Sequence, residues 1–218
     1  KPQDMKVIIT GTTGMVGEGV LFECLQNSKV SEILSISRKE ITVNHPKLKQ
    51  LIVQYFTKLD DYKTEISGYD ACFFCAGISS VGMKEDQFTQ ITYDTTIAFA
   101  KTVLANNPNL TFCYVSGRGT DSTEQGKTMW ARVKGKTENE LMKMPFKNEF
   151  NFRPAAMLPF PNQQYVNKFY TFIANVFKIF TPSSVLTLSE VGKAMINAVD
   201  KNGVKANLEI KDIKALSV

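Results

Sequence analysis

After a short polar lead, the chain runs through Lys6 to Thr10 (KVIIT), a β-branched apolar stretch that ends at a glycine. GMVGEGVLFECLQN follows, with Val16, Val20, Leu21 and Leu25 at helical spacing. The order predicted is strand, tight loop, helix. Glu32 to Ser37 (EILSIS) reads as a second strand and Leu51 to Phe56 (LIVQYF) as a third, with Leu59 to Ile66 a short helical or turn segment. Ala71 to Ala76 is nearly continuous in apolar residues, as expected of an interior strand covered on both faces by helices. Lys84 to Leu104 reads as helix, with Ile91, Thr95, Ala98 and Val103 roughly on one side, and Asn106, Asn107 and Pro108 end it. Leu110 to Val115 is a fifth strand, Met129 to Lys143 a long helix, and Phe150 to Arg153 a sixth strand stopped by Pro154.

This alternation calls for an α/β fold, a doubly wound, mostly parallel sheet with right-handed crossovers. Beyond residue 155 the pattern is less regular. Asn167 to Phe180 reads as an aromatic-rich amphipathic helix, Ser189 to Asp200 as another with Glu190 in its first turn, and Ala206 to Ile210 as a terminal strand. Residues 155–218 are expected to form a small C-terminal substrate-side region and the final sheet elements. No linker, repeat or low-complexity tract divides the sequence, so residues 1–218 are expected to form one domain.

Composition narrows the partners. The chain has 218 residues, 43% apolar and 22% charged, ordinary for a globular protein with one sizeable core. No stretch of about 18 apolar residues occurs and no basic signal region precedes the first apolar run, so neither a membrane span nor export is expected, and the expected location is cytoplasmic. The opening KPQD is given no structural role, and Met5 is a candidate natural start. A net charge of +5 slightly favours an anionic ligand. The basic spots at Arg38 to Lys39 and Lys47 to Lys49 lack interleaved aromatics, so no nucleic acid is expected. Cys24, Cys72, Cys75 and Cys113 read as free core thiols; the C-x-x-C at 72–75 lies in a strand pattern, not at a helix start where a redox thiol would be activated. The lone His45 cannot anchor a zinc site, and no metal is expected.

Chemistry concentrates at the first turn. VIITGTTGMVGEG places Gly11, Gly14 and Gly17 in G-x-x-G-x-x-G spacing between strand and helix, the signature of a Rossmann dinucleotide loop. Side-chain-free positions permit the tight turn and let amides at the helix N-terminus face a pyrophosphate; Thr13, Met15 and Val16 complete this candidate cradle. An acid normally meets an unphosphorylated ribose at the end of the second strand, but here Ser37, Arg38 and Lys39 stand there. Arginine pairs with phosphate bidentately, so these residues favour the 2'-phosphate of NADP over NAD. A solvated basic turn is the alternative, and a small register shift would bring Glu40 to the ribose. Cys75, Ala76 and Gly77 should approach the ribose and phosphates, and Asp60 and Asp61 either contact adenine or start a helix.

Several further pieces, KLDDY, DACFFCAG, YVSGRGTD at 114–121, WARVKGKTE at 130–138 and FNFRPAAM at 150–157, extend the pattern over nearly the whole chain. With TGTTGMVGEG at 10–19, they make the chain resemble the extended and atypical short-chain dehydrogenase/reductase superfamily, particularly NAD(P)-binding proteins similar to the Tat-interacting oxidoreductase-like family. The resemblance implies a Tyr-x-x-x-Lys helix and a Ser or Thr after the fifth strand. Lysine there fixes the nicotinamide ribose and lowers the tyrosine pKa. Lys134 matches that lysine, the alternative being one of several exposed helix lysines with Lys127, Lys136 and Lys143; Trp130 stands at the usual Tyr position, and an indole N–H is no practical proton-transfer acid. Ser116 matches the hydroxyl partner, Gly117 stands where relatives often carry a second hydroxyl, and Pro154 lies in the loop expected beside the nicotinamide. Arg118 either enters the site or is a loop charge; Tyr114 and Tyr93 are candidate displaced phenols.

Three functions remain open. One is an NADP-dependent oxidoreductase on an unknown carbonyl or alcohol with an atypical proton relay. Another is a catalytically inactive, dinucleotide-responsive binding or regulatory protein. The third is a sugar-nucleotide epimerase or dehydratase. A homodimer is compatible with the resemblance. The aromatics Tyr165, Phe169, Tyr170, Phe172, Phe177 and Phe180 form either core, a substrate wall or a partner contact.

Overall fold

The computed structural model describes residues 4–166, 171, 174, 175, 178, 182–201 and 205–218. Seven strands form one sheet in the order β3-β2-β1-β4-β5-β6-β9, every pair parallel. They are β1 (Met5–Thr10), β2 (Val30–Ser37), β3 (Leu48–Ile52), β4 (Ala71–Phe74), β5 (Thr111–Val115), β6 (Asn148–Phe152) and β9 (Asn207–Leu208). The order reverses between β1 and β4, which makes this a doubly wound Rossmann sheet with its crevice above that point. A second sheet pairs β7 (Ala156–Leu158) with β8 (Val185–Thr187), also in parallel.

Strand alternation feeds two cores. Val7, Ile9, Phe73 and Cys113 face one side, against α1 (Met15–Gln26) and α5 (Leu188–Ala198). Ile8, Cys72, Phe74, Phe112 and Tyr114 face the other, against the 3-10 turn Phe56–Tyr62, α3 (Thr95–Asn106) and the end of α4 (Met129–Leu141). On that second side Phe74 stands between Phe99 and Phe112, with ring centroids 5.2 and 6.0 Å away. Helices α1 and α5 cross closely: a Cβ at Gly192 would fall 2.6 Å from Cβ of Glu23, whose carboxylate accepts from the Ser189 hydroxyl at 2.7 Å.

Several boundaries differ from expectation. The segment read as one helix over 84–104 is α2 (Glu85–Thr89), a π-turn (Gln90–Asp94) and α3. The Thr95 N–H donates to the Gln90 carbonyl five residues back, and the Thr95 hydroxyl donates to the same oxygen at 3.0 Å. The third strand pairs over Leu48–Ile52, three residues before the stretch its apolar pattern suggested, because the chain turns into the 3-10 segment at Phe56. The expected strand at 206–210 is only Asn207–Leu208, after which Glu209 and Asp212 form a capping box that starts α6 (Ile210–Leu216). Ala156 opens β7, a strand the apolar pattern did not predict. Of the aromatics expected on a helix over 167–180, Phe169, Tyr170, Phe172, Phe177 and Phe180 lie outside the described residues, while Tyr165 is exposed.

Candidate functional site

The carboxyl ends of β1, β2, β4, β5 and β6 all reach the same edge of the sheet and deliver five loops there. The glycine loop is shaped by two close approaches. Gly11 has φ +73°, and a Cβ there would fall 2.7 Å from the Cys75 and Ala76 backbone; a Cβ at Gly17 would fall 2.2 Å from the Gly11 carbonyl oxygen. Gly14 is different. It is extended at φ −133°, and a Cβ there would meet only the Gly11 oxygen at 3.4 Å. No side chain caps α1, and the N–H groups of Met15, Val16 and Gly17 reach no acceptor among the described residues. The first turn therefore presents free donors beside an open glycine, which fits a dinucleotide pyrophosphate. Thr10 braces the cradle from below, its hydroxyl accepting from the Ala76 N–H at 3.1 Å, and the fully buried Thr12 and Ser35 hydroxyls meet at 2.7 Å.

After β2, Ser37 is buried and donates to the Lys39 carbonyl at 2.5 Å, shaping the turn that exposes Arg38 and Lys39. Neither cation makes an ion pair among the described residues. Asp60 is exposed within the 3-10 turn, not at its start. Gly77 is open, and Cys75 is half-buried with its thiol pushed up to about 12 by burial. All four cysteines are free, and no cluster of three or more potential metal ligands occurs among the described residues.

Beside the loop after β5, Trp130 and Lys134 lie one turn apart on α4. The indole rests on the loop after β5: its Cη2 and Cζ3 would lie 3.7 and 3.9 Å from Cβ atoms at Gly119 and Gly117. Lys134 donates from Nζ to the Ser116 carbonyl at 2.8 Å and sits 6.0 Å from the Tyr114 ring centroid. Burial lowers its pKa to about 8, with the Glu138 carboxylate acting in the opposite direction. The Ser116 hydroxyl is buried and engaged with Thr120 Oγ1 at 2.8 Å, and Thr120 in turn donates to the Gly117 carbonyl. Thr120 is a site neighbour that the sequence did not single out.

The two candidate phenols lie on other elements than Trp130. Tyr114 is buried beneath α4, and burial holds its hydroxyl far above the ordinary phenol range. Tyr93 belongs to the π-turn and stacks under Lys136, whose Nζ lies 4.3 Å from its centroid, on a different helix stripe from Trp130 and Lys134. Arg118 is exposed, its backbone N–H donating to the Pro154 carbonyl at 2.8 Å, which ties the loops after β5 and β6 together.

Two polar networks hold α1 and α4. On α1, the buried Glu18 carboxylate accepts from the backbone N–H groups of Gln164 and Tyr165 at 2.8 Å each and from Gln163 Nε2 at 3.2 Å. Gln163 also donates to the Met15 carbonyl at 2.7 Å, and Phe160 packs edge-on to Phe22, so residues 160–165 strap the first turns of α1. Glu18→Ala should leave two main-chain donors unpaired, and hydrogen exchange at Gln164 and Tyr165 should then quicken about tenfold or more; unchanged exchange would show that Glu18 does not hold the strap. On the opposite side, Arg153 clamps Glu138 with both Nε and Nη2 while also reaching Glu209 and Ser122.

No helix among the described residues is long and apolar enough to cross a membrane. No family model matches the chain. It is 30% identical over 122 residues to leucinostatins biosynthesis cluster protein T of Purpureocillium lilacinum, a match spanning 55% of this chain and 45% of that protein. Among solved structures, an ADP-L-glycero-D-manno-heptose-6-epimerase from Helicobacter pylori superposes with a TM-score of 0.70 at 14% identity, covering 99% of this chain and 81% of that one. A short chain dehydrogenase from Burkholderia cenocepacia in complex with NADP gives 0.67 at 11% identity, covering 99% and 93%. The chain therefore has the Rossmann fold that this epimerase and this dehydrogenase share.

Proposed function

We propose that this protein binds a nicotinamide dinucleotide, NADP in preference to NAD, and acts as a dinucleotide-responsive binding protein without tyrosine-based proton transfer. The observation that carries the reading is Trp130: its indole packs on Gly117 and Gly119 one turn from Lys134, while Tyr114 and Tyr93 are both engaged elsewhere. In this reading Gly11, Thr13, Gly14, Met15, Val16 and Gly17 hold the pyrophosphate. Ser37, Arg38 and Lys39 meet the 2'-phosphate, Asp60 borders the adenine, Cys75 to Gly77 line the adenosine ribose, and Lys134 with Pro154 flanks the nicotinamide end. The bound dinucleotide would supply hydride-transfer capacity; the chain itself positions, orients and excludes water.

A second reading, an oxidoreductase or sugar-nucleotide epimerase, is favoured by the fold shared with the heptose epimerase and by the low pKa of Lys134, whose amine could accept or release a proton near neutrality.

Because Trp130 is the chain's one tryptophan, binding has a built-in reporter. NADPH titrated into dinucleotide-free protein should quench Trp130 emission and produce sensitised nicotinamide emission, with NADH binding about tenfold or more weakly. Arg38→Ala should erase most of that preference. Silence with both dinucleotides, in fluorescence and calorimetry alike, would overturn the proposal.

A further inference from the structure

We propose that Arg153 is a positioning residue for Lys134: by gripping the Glu138 carboxylate through two guanidinium nitrogens, it keeps that carboxylate from pairing with the Lys134 amine. Glu138 lies four residues beyond Lys134 on α4, on the same stripe of the helix, where a lysine and a glutamate ordinarily pair. Here they do not. The Glu138 side chain is fully buried, and both of its oxygens go to Arg153, Oε1 to Nε at 3.0 Å and Oε2 to Nη2. The fork is held in turn by Glu209, whose Oε1 accepts from Nη1 at 3.3 Å, and by Ser122, whose hydroxyl accepts from Nη2 at 2.7 Å. Lys134 is left to donate to the neutral Ser116 carbonyl.

The ionisable groups facing Lys134 come from three elements. On α4 itself there is Glu138; from β5 there is Tyr114; at the end of β6 there is Arg153, with Glu149 behind Glu138. Burial keeps Glu149 protonated near pH 7, so among the described residues Glu138 is the anion that acts to hold the lysine charged, and the Arg153 fork keeps its two oxygens from pairing directly with the amine. With no carboxylate in direct contact, the partial opposition from Glu138 does not offset burial, the Lys134 pKa stays low, and this is the state in which its amine meets a ribose hydroxyl or a proton. That functional meaning rests on the proposed dinucleotide reading; the clamp itself does not.

The test is site-resolved. The pH dependence of Lys134 acetylation by acetic anhydride, followed by peptide mass spectrometry on ligand-free protein, would be compared in wild type, Arg153→Gln, Glu138→Gln and the double variant, with the exposed Lys136 as internal reference. Wild-type Lys134 should titrate below Lys136. Arg153→Gln should move its midpoint up by about one pH unit or more, a loss of reactivity of about fivefold or more at pH 8 that approaches tenfold below pH 7. Glu138→Gln should leave it low, and the double variant should return it to the low value. An Arg153→Gln profile that superimposes on wild type, or a double variant shifted as far as the single one, would overturn the proposal. If Arg153→Gln does not fold, Arg153→Lys, which keeps the charge and loses the fork, should show a smaller upward shift, and no shift would overturn it equally. Dinucleotide titration of the same proteins separates the two claims: the labelling pattern without any dinucleotide affinity would leave the clamp standing and remove the functional reading.

Discussion

Replacing Glu149 with glutamine is expected to make the protein more stable at alkaline pH and to change it little in mild acid. Glu149 sits on β6 with Oε1 buried and unpartnered, and burial, reinforced by the nearby Glu138, pushes its pKa from the ordinary 4.5 to about 9. Below the lower value both folded and unfolded chains hold the proton and the group costs nothing. As pH rises between the two, the unfolded chain ionises first and the native state loses stability until the folded carboxyl also ionises. Each unit of difference corresponds to about 1.4 kcal/mol. Water entry and relaxation around the carboxyl reduce the total, and about 2–3 kcal/mol should be lost between roughly pH 5 and pH 8. Glu149→Gln removes that slope. Its Tm should exceed wild type by about 6 °C near pH 8 and match it, or fall slightly below for the unpaired amide, near pH 5. Parallel Tm–pH curves for the two proteins would show that Glu149 ionises normally.

Alanine at Gly14 and alanine at Gly17 should separate binding from folding. At Gly17 the new Cβ would sit 2.2 Å from the Gly11 oxygen, so the loop must open; a loss of about 2–4 kcal/mol is expected, and dinucleotide binding should disappear with it. At Gly14 the backbone is extended and the new methyl meets only one atom at 3.4 Å, so Tm should change by no more than about 2 °C. The methyl would nevertheless stand beside the free N–H groups of the first helical turn, and NADPH affinity should fall about tenfold or more. Unchanged NADPH affinity in Gly14→Ala would mean that the anion does not approach there.

How far the sequence could lead depended on the range of the forces involved. β1 was legible because KVIIT and the glycine after it are a local pattern, and the register of Trp130 with Lys134 followed from helical spacing alone. The π-turn was not, because its i to i−5 bond from Thr95 to Gln90 lies inside an otherwise helical apolar pattern. β7 and β8 have three residues each, too few for periodicity to register, and their pairing is a contact between positions far apart in the sequence. In the candidate site, the glycines and Lys134 stood out by type and spacing. Glu18 did not: its partners Gln164 and Tyr165 lie some 146 and 147 residues away, and its carboxylate alone reads as an ordinary first-turn acid. Thr120 looked like one more loop hydroxyl until the fold placed it against Ser116.

The crossing of α1 with α5 also has a kinetic side. Gly19 and Glu23 of the first helix pack on Leu188, Ser189 and Gly192 near the other end of the chain, and β6 gains its outer neighbour only from Asn207 and Leu208. As the polypeptide leaves the ribosome, the apolar stripe of α1 and the edge of β6 are made early but covered late. Contacts of such long sequence separation carry a large loop-closure entropy and slow the search for the native state. Nascent chains that stop short of residue 188 should therefore expose a sticky helix face and an unpaired strand, the points at which a chaperone would engage them and at which premature termination would lead to aggregation.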